Sequence, residues 1–500
     1  MVELSELPLG DVLRRAAAQW PDRPAMHGDH QSWTWAELDA AVDRVVTAWE
    51  DAGIQPGTAI AFLLNKRPEV VIGFLACARA GTIFLPINFK LHVDQCVDQL
   101  QVAEVGVLVW EPACAALADD LRPHVRWSIP VDRLDPGTPG RRSSFVATAD
   151  TVCYYNYTSG STGRPKGAAT TSRNIIVNGL ATAEGLGFRE EDVYLGMFSV
   201  FAHPHELFHR SILYGGAFVV VDSLAPRHIA ETIQRFRVTW MMAVPSFYEM
   251  LLDFQEGHRL DLGSLRVLEA GGAYVSPSAL ARMEAAFTAR FLPVWGSTET
   301  TGVGIGMLAE GARRPGSTGK PIPGYEARIV GEDGRDVEVG DTGELWMKGP
   351  AVVSGYVNQP EETAAQFQGG WYATRDLVHA DSDGFIYFSG RKSEMLKIGG
   401  IRVFPLEIEK ALMAHPEVRN VVVVRAEERV RGEIARAIVQ RVPGSTLDVR
   451  AVQAWCRSHL ATYKVPRIVE FWRTIPTLPN GKIDKKAVLA APVDPTRDER

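Results

Sequence analysis

The sequence predicts an α/β protein with a large N-terminal domain of several subdomains, built from parallel α/β layers plus a β-rich portion, and a small α+β C-terminal domain. Three observations carry this. The chain has 500 residues, and single hydrophobic cores stop growing near about 250–300 residues. Short apolar runs alternate with helix-like patterns through the first half, as strands joined by crossover helices do. Across residues 319–390 the pattern changes to short strands cut by Gly, Asp and Pro turns, which marks the β-rich portion.

In chain order, "TAIAFLLN" (58–65) followed by "PEVVIGFLACARAG" (68–81) reads as strand then helix. So does "AFVVVD" (217–222) followed by "APRHIAETIQRFRV" (225–238). Between them, the apolar and aromatic "TVCYYNY" reads as a strand delivering the loop that follows it,. "YEARIVG", "GELWMKG" and "GFIYFSG" are the short strands of the β-rich portion. A boundary near Gly390 precedes a compact unit: helix "PLEIEKALMAHP", strands "VRNVVVVRAE" and "ARAIVQRV", helix "DVRAVQAWCRSHL". This gives a large domain over 1–390, a small one over 394–490, and a Pro-rich charged tail, 491–500, expected to fray,.

Composition excludes several classes. Hydrophobic residues make up 46% and charged residues 23%, the ordinary globular range. With 53 Lys and Arg against 60 Asp and Glu, the net charge of -7 offers no electrostatic attraction for nucleic acid,. The five cysteines, Cys77, Cys96, Cys114, Cys153 and Cys456, contain no CxxC, so free thiols in a reducing cytosol are expected. The N-terminus lacks a signal-peptide apolar core and no run of 18 apolar residues occurs, so a soluble cytoplasmic protein with no membrane partner is expected.

The loop "YTSGSTGRPKG" (157–167) has the ingredients for phosphate: Gly160 and Gly163 for close backbone approach, hydroxyls on Thr158, Ser159, Ser161 and Thr162, and the cation of Lys166,. Its spacing fails the GxxxxGK[ST] pattern of a Walker loop. Alone, such a tract is more often a flexible Gly/Ser surface loop. Further motifs follow in order: "EAGGAYVSP" (269–277), "VWGSTETTG" (294–302), "WYATRDLVHADSDGFIYFSGRKSEMLKIGG" (371–400) and "IPTLPNGKIDKKAV" (475–488).

Together with the loop, these resemble the ordered signatures of the adenylate-forming superfamily, which includes acyl-CoA synthetases, adenylation domains and firefly-type luciferases. The resemblance covers essentially the whole chain and is strongest to acyl- or aryl-CoA ligases. It implies that Thr158, Ser159, Gly160, Ser161, Thr162, Gly163 and Lys166 grip the β/γ-phosphates. The backbone of Gly271, Gly272 and Ala273 would flank adenine, and Trp295, with Gly296 and Ser297 following, would stack on it. Thr298 would bond the α-phosphate and the substrate carboxylate, and Glu299 would hold Mg²⁺. Asp376 would accept from the ribose hydroxyls, Arg391 would contact ribose and phosphate, and Lys482 would be the catalytic lysine. The chemistry of these side chains agrees, since an aromatic face, a hydroxyl donor and a carboxylate for a hard cation are what ATP with magnesium requires.

The implied reaction converts a carboxylate to acyl-AMP with loss of pyrophosphate, followed by acyl transfer to coenzyme A. The resemblance also implies a mobile small domain turning on a hinge at 391–393, centred on Ser393, where the family usually carries Asp or Lys. In the turned state Gly399 and Gly400 would line the coenzyme A tunnel. "MFSVFAHPHELFHRSILYGGAFVVV" (197–221) falls where the acyl pocket is shaped, which implies lining by Phe201, His203, His205 and Gly302. No carboxylate stands where amino-acid-activating relatives hold an α-amino group, so an α-amino acid is disfavoured.

His203, His205 and His209 beside Glu206, with His205 and His209 at i,i+4 of a helix starting after Pro204, leave three readings: cap and packing, a polar pocket wall, or a metal site,. No carrier domain follows Lys482, which favours free coenzyme A over a separate carrier protein or an amine as acceptor. A non-catalytic nucleotide- or acyl-binding relative is the reading from another class. The expected partner is a small carboxylic acid, with the chain a monomer or homodimer.

Overall fold

The structure is a computed structural model that describes residues 2–158, 166–258, 260–272, 275, 277–428, 432–477, 483–494 and 496–499. Two large sheets build the first domain. The six-stranded sheet has the order Trp127–Pro130, Val105–Trp110, Ala59–Leu63, Ile83–Pro86, Val152–Thr158, Lys166–Thr171. Its pairs are parallel except the last, which is antiparallel. Ala59–Leu63 is buried at every position, as a parallel strand covered on both faces must be.

The nine-stranded sheet has the order Lys320–Pro321, Gly302–Gly306, Arg290–Ser297, Val267–Ala270, Trp240–Ala243, Val193–Gly196, Ala217–Val219, Pro24–His27, Ser32–Thr34. Its middle is parallel and its two edges antiparallel. One apolar core takes Phe62 and Phe84 from the first sheet and Phe218 and Trp240 from the second. Helix Pro68–Ala80 contributes to it with every residue from Val70 onward buried. Pro68 opens that helix at a position where its missing N–H costs nothing, and Gly81 closes it in the left-handed region at φ 67°,.

The β-rich portion is an antiparallel sheet of Glu326–Val330, Gly343–Lys348, Trp371–Ala380, Phe367–Gln368 and Ile386–Arg391. The small domain begins with hairpin Leu396–Ile398 and Ile401–Val403 and continues through Val418–Glu428, Gly432–Arg441 and Ile468–Phe471. Its own core gathers Leu396, Ile408, Val421, Ala437, Val452 and Phe471. Helices Pro405–Met413 and Val449–His459 lie where the apolar pattern places them.

The described residues of the tail, which was expected to fray, bond to the small domain. The backbone of Phe471 exchanges hydrogen bonds with Arg497 and Glu499 at 3.0 and 2.9 Å, and the buried Arg436 donates to the carbonyls of Ala491 and Pro492 at 3.1 and 3.0 Å. A buried guanidinium needs acceptors: Glu470 supplies the charged pair and the tail adds carbonyls. The five cysteines are buried free thiols. Among the described residues no helix is long and apolar enough to cross a membrane.

Candidate active site

The site is built on the turn that follows strand Arg290–Ser297. Gly296 passes so close to the returning strand that a Cβ there would lie 2.3 Å from the Gly302 carbonyl oxygen. Thr301 and Gly302 both take positive φ, 54° and 103°, and the Thr300 hydroxyl locks the turn by donating to the Gly302 carbonyl at 2.7 Å. The chain thus reverses abruptly into strand Gly302–Gly306, and residues 298–301 stay buried at the turn.

Glu299 is 6% exposed, and its Oε1 accepts from the Tyr356 hydroxyl at 2.6 Å. That hydroxyl also lies 3.0 Å from Gln366 Oε1, which accepts from the Lys166 ammonium at 3.2 Å. Burial, with the Glu299 carboxylate beside it, holds the Tyr356 phenol well above its ordinary pKa, so it stays a donor. A buried carboxylate oriented by a phenol is a hard oxygen ligand, and its chemistry fits a magnesium ion.

Lys166 was expected at the phosphates. The structure instead turns its ammonium inward, paired with Glu362 and 5.4 Å from the centre of the Tyr356 ring. The physical reason is burial: at 4% exposure the cation requires a counter-charge, and Glu362 provides it,. Its strand pairs with Val152–Thr158, Thr158 opposite Lys166, so a hairpin carries the loop. Residues Ser159, Gly160, Ser161, Thr162 and Gly163, together with Ala273 and Lys482, lie outside the described residues.

Trp295, Asp376 and Arg391 come together. The Trp295 indole N–H donates to Asp376 Oδ2 at 2.8 Å, and Arg391 Nε donates to Oδ1 at 3.0 Å. The contact follows from register, since Asp376 and Arg391 are cross-strand partners of Trp371–Ala380 and Ile386–Arg391. Burial raises the Asp376 pKa, and the Arg391 charge opposes that rise. Gly271 and Gly272 follow strand Val267–Ala270, which pairs with the Trp295 strand. Ser393 lies exposed in the turn Lys392–Glu394. Gly399 and Gly400 form a hairpin tip with open space around both.

On the acyl side, Phe201 meets Phe89 edge-on at 5.1 Å. The continuous helix expected after Pro204 does not form. A 3₁₀ turn, Pro204–Leu207, stops at Phe208, whose φ of -133° is not helical, and helix His209–Tyr214 starts anew. His205 and His209 therefore share no helix. His205 and Glu206 are buried against the turn at 298–301: His205 Nε2 lies 3.2 Å from the Thr301 carbonyl, and a Cβ on Gly302 would lie 2.2 Å from Glu206 Oε1. Burial lowers the His205 pKa to about 3 and raises that of Glu206 to about 8.

Sequence reasoning missed Tyr356, Glu362 and Gln366. They sit in "GYVNQPEETAAQF", where no spacing marks them; the signal is the tertiary contact itself.

A buried carboxylate suited to a hard cation and an indole face held by a second carboxylate have the chemistry to bind a nucleotide with its metal ion. The chain belongs to the AMP-binding enzyme family: the family's sequence model matches residues 13–357, and that of the AMP-binding enzyme C-terminal domain matches residues 407–482. A feruloyl-CoA synthase of Amycolatopsis sp is 32% identical over 490 residues, covering 96% of this chain and 98% of that protein. An indoleacetate–CoA ligase of Aromatoleum aromaticum is 30% identical over 505 residues, with 96% and 98% covered. Among solved structures, o-succinylbenzoate coenzyme A synthetase from Bacillus subtilis in complex with AMP superposes with a TM-score of 0.85 at 28% identity, covering 96% of this chain and 98% of that one.

Proposed function

We propose that the chain activates an aromatic carboxylic acid with ATP and transfers the acyl group to coenzyme A. The carrying observation is the joined set Trp295, Asp376 and Arg391 beside the turn bearing Thr298 and Glu299. A carboxylate is a poor acyl donor because its leaving group would be oxide. Its oxygen attacks the α-phosphorus of ATP, forming the acyl–phosphate bond as the bond to pyrophosphate breaks. The thiol sulfur then attacks the acyl carbon, AMP leaves, and the thiol proton is released.

Each oxygen of Asp376 has one partner here and keeps lone pairs for a ribose hydroxyl. With its N–H held by Asp376, Trp295 offers a ring face to adenine. Thr298 would donate to the reacting oxygens, and Lys482 would stabilise charge developing on the α-phosphate. Glu299, aimed by Tyr356, would hold a magnesium ion, which supplies positive charge to the phosphates when bound. Lys166 acts one step back, fixing Glu362, Gln366 and through them Tyr356. The feruloyl- and indoleacetate-directed relatives support an aromatic acid, as does the Phe201–Phe89 pair.

Pyrophosphate release over a panel of aromatic and aliphatic acids, with and without coenzyme A, tests the reading. Aromatic acids should release pyrophosphate and yield a thioester once coenzyme A is added. Retained ATP binding without turnover of any acid would overturn it. Lys482→Ala should abolish adenylate formation and spare thioester formation from preformed acyl-AMP; equal loss of both would remove Lys482 from its role.

A further inference from the structure

We propose that His203, His205 and Glu206 bind a divalent transition-metal ion of the zinc class, through two imidazole nitrogens and one carboxylate oxygen, behind the turn that carries Thr298 and Glu299. One ligand atom from each residue lies within 4.8 Å of the others. Tetrahedral zinc, with bonds of about 2.0–2.2 Å, sets its ligands roughly 3.4 Å apart, so the side chains have only about an ångström to travel.

The tautomer of His205 is fixed by its surroundings. Its Nε2 faces the Thr301 carbonyl oxygen at 3.2 Å, which can only accept, so Nε2 carries the hydrogen and Nδ1 the lone pair. Among the described residues that Nδ1 has no hydrogen-bond partner, and it is buried on a residue with 0% exposure. An imidazole that donates one N–H to a backbone carbonyl and points its other nitrogen into a buried space has the arrangement of a metal ligand held by its outer partner.

Charge points the same way. Glu206 is 3% exposed, and the nearby guanidinium of Arg210 is taken by a two-pronged pair with Glu269 at 2.6 and 3.0 Å. Glu206 feels the Arg210 charge and a backbone hydrogen bond at Val303, but among the described residues no ion pair joins it to a Lys or Arg, and a metal ion beside it would favour its ionised form. His203 adopts φ 54°, in the left-handed region,. Its ring stands edge-on to His205 at 5.9 Å.

Two imidazoles and a carboxylate, without thiolate, suit zinc, with a fourth position open. The rings of Tyr154 and His209 stand 5.8 and 5.6 Å from His205, with backbone groups of His203 and Glu206 beside them. The fourth position is left for a water or a substrate oxygen. The consequence for the reaction is positional: ligation fixes His205, and His205 holds Thr301 beside Glu299.

The test uses the full chain, stripped with a strong chelator and titrated with cobalt, with visible d–d absorption and elemental analysis as readouts. One equivalent of cobalt should bind with tetrahedral intensity and be displaced by one equivalent of zinc. Glu206→Gln and His203→Ala, the latter at a partly exposed position, should each weaken binding about tenfold or more, with thermal melting showing that both variants fold. No cobalt absorption and no retained zinc in the native chain would overturn the proposal, as would native-like binding by both folded variants.

Discussion

Glu299, Asp376 and Arg391 could be singled out because each lies in a motif that is local in sequence, Glu299 in a turn, Asp376 within a strand and Arg391 at the end of one. Tyr356 could not, since it reaches Glu299 from 57 positions away. Its hydroxyl is the donor that aims the carboxylate, and a hydrogen bond to a charged group contributes about 1.5–3 kcal/mol. Tyr356→Phe should therefore slow ATP–pyrophosphate exchange roughly tenfold to 100-fold while the acid's own binding changes little. An unchanged exchange rate would separate Tyr356 from the chemistry. The inward turn of Lys166 was hidden for the same reason: the local sequence shows a cation in a glycine loop, and Glu362, which claims it, belongs to another element.

At the scale of elements, the strands and helices with a clean apolar period were legible, and the breaks within them were not. The pattern from Pro204 to Tyr214 supports one helix, yet Phe208 packs into the main core and gives up helical geometry to do so; packing overrides propensity there. A second tertiary feature joins the two large sheets. Lys66 follows strand Ala59–Leu63, and its buried ammonium donates to the Gly196 carbonyl at the end of strand Val193–Gly196. Burial, opposed by Asp222, lowers its pKa from 10.5 to about 8. An amine depressed on folding contributes stability above its unfolded pKa and loses it as pH falls through the folded value. Relative to Lys66→Met, the native chain should gain about 3 kcal/mol between about pH 7.5 and pH 10.5, measured by urea unfolding across that window. A pH-independent difference between the two proteins would place the ammonium in water.

At the scale of the whole molecule, the presence of a large first domain and a small C-terminal one was legible because composition and strand pattern change along the chain, but what connects the two domains was not. The contacts around Ser393 split by side. Lys392 Nζ holds Glu344 of the β-rich sheet at 3.2 Å, whereas Glu394 holds Lys485 of the small domain at 2.6 Å. Ser393 stands between an anchor to each domain, so a rotation about its backbone dihedrals would move the small domain while both anchors stay made. A Cβ at Gly399 or Gly400 would meet nothing, and Arg402 of the same hairpin pairs with Glu332 of the β-rich portion; if the tip lines a thiol tunnel, as the resemblance to the family implies, a rotation at Ser393 is expected to bear on thioester formation more than on adenylation. Proline at 393 locks its own φ near about -65° and restricts Lys392 before it. Ser393→Pro should therefore slow thioester formation from preformed acyl-AMP more than it slows acyl-AMP formation, with each half-reaction followed in a single turnover. Equal factors on the two half-reactions would move the pivot away from Ser393, and unchanged rates in both would show that this turn does not govern the exchange between them.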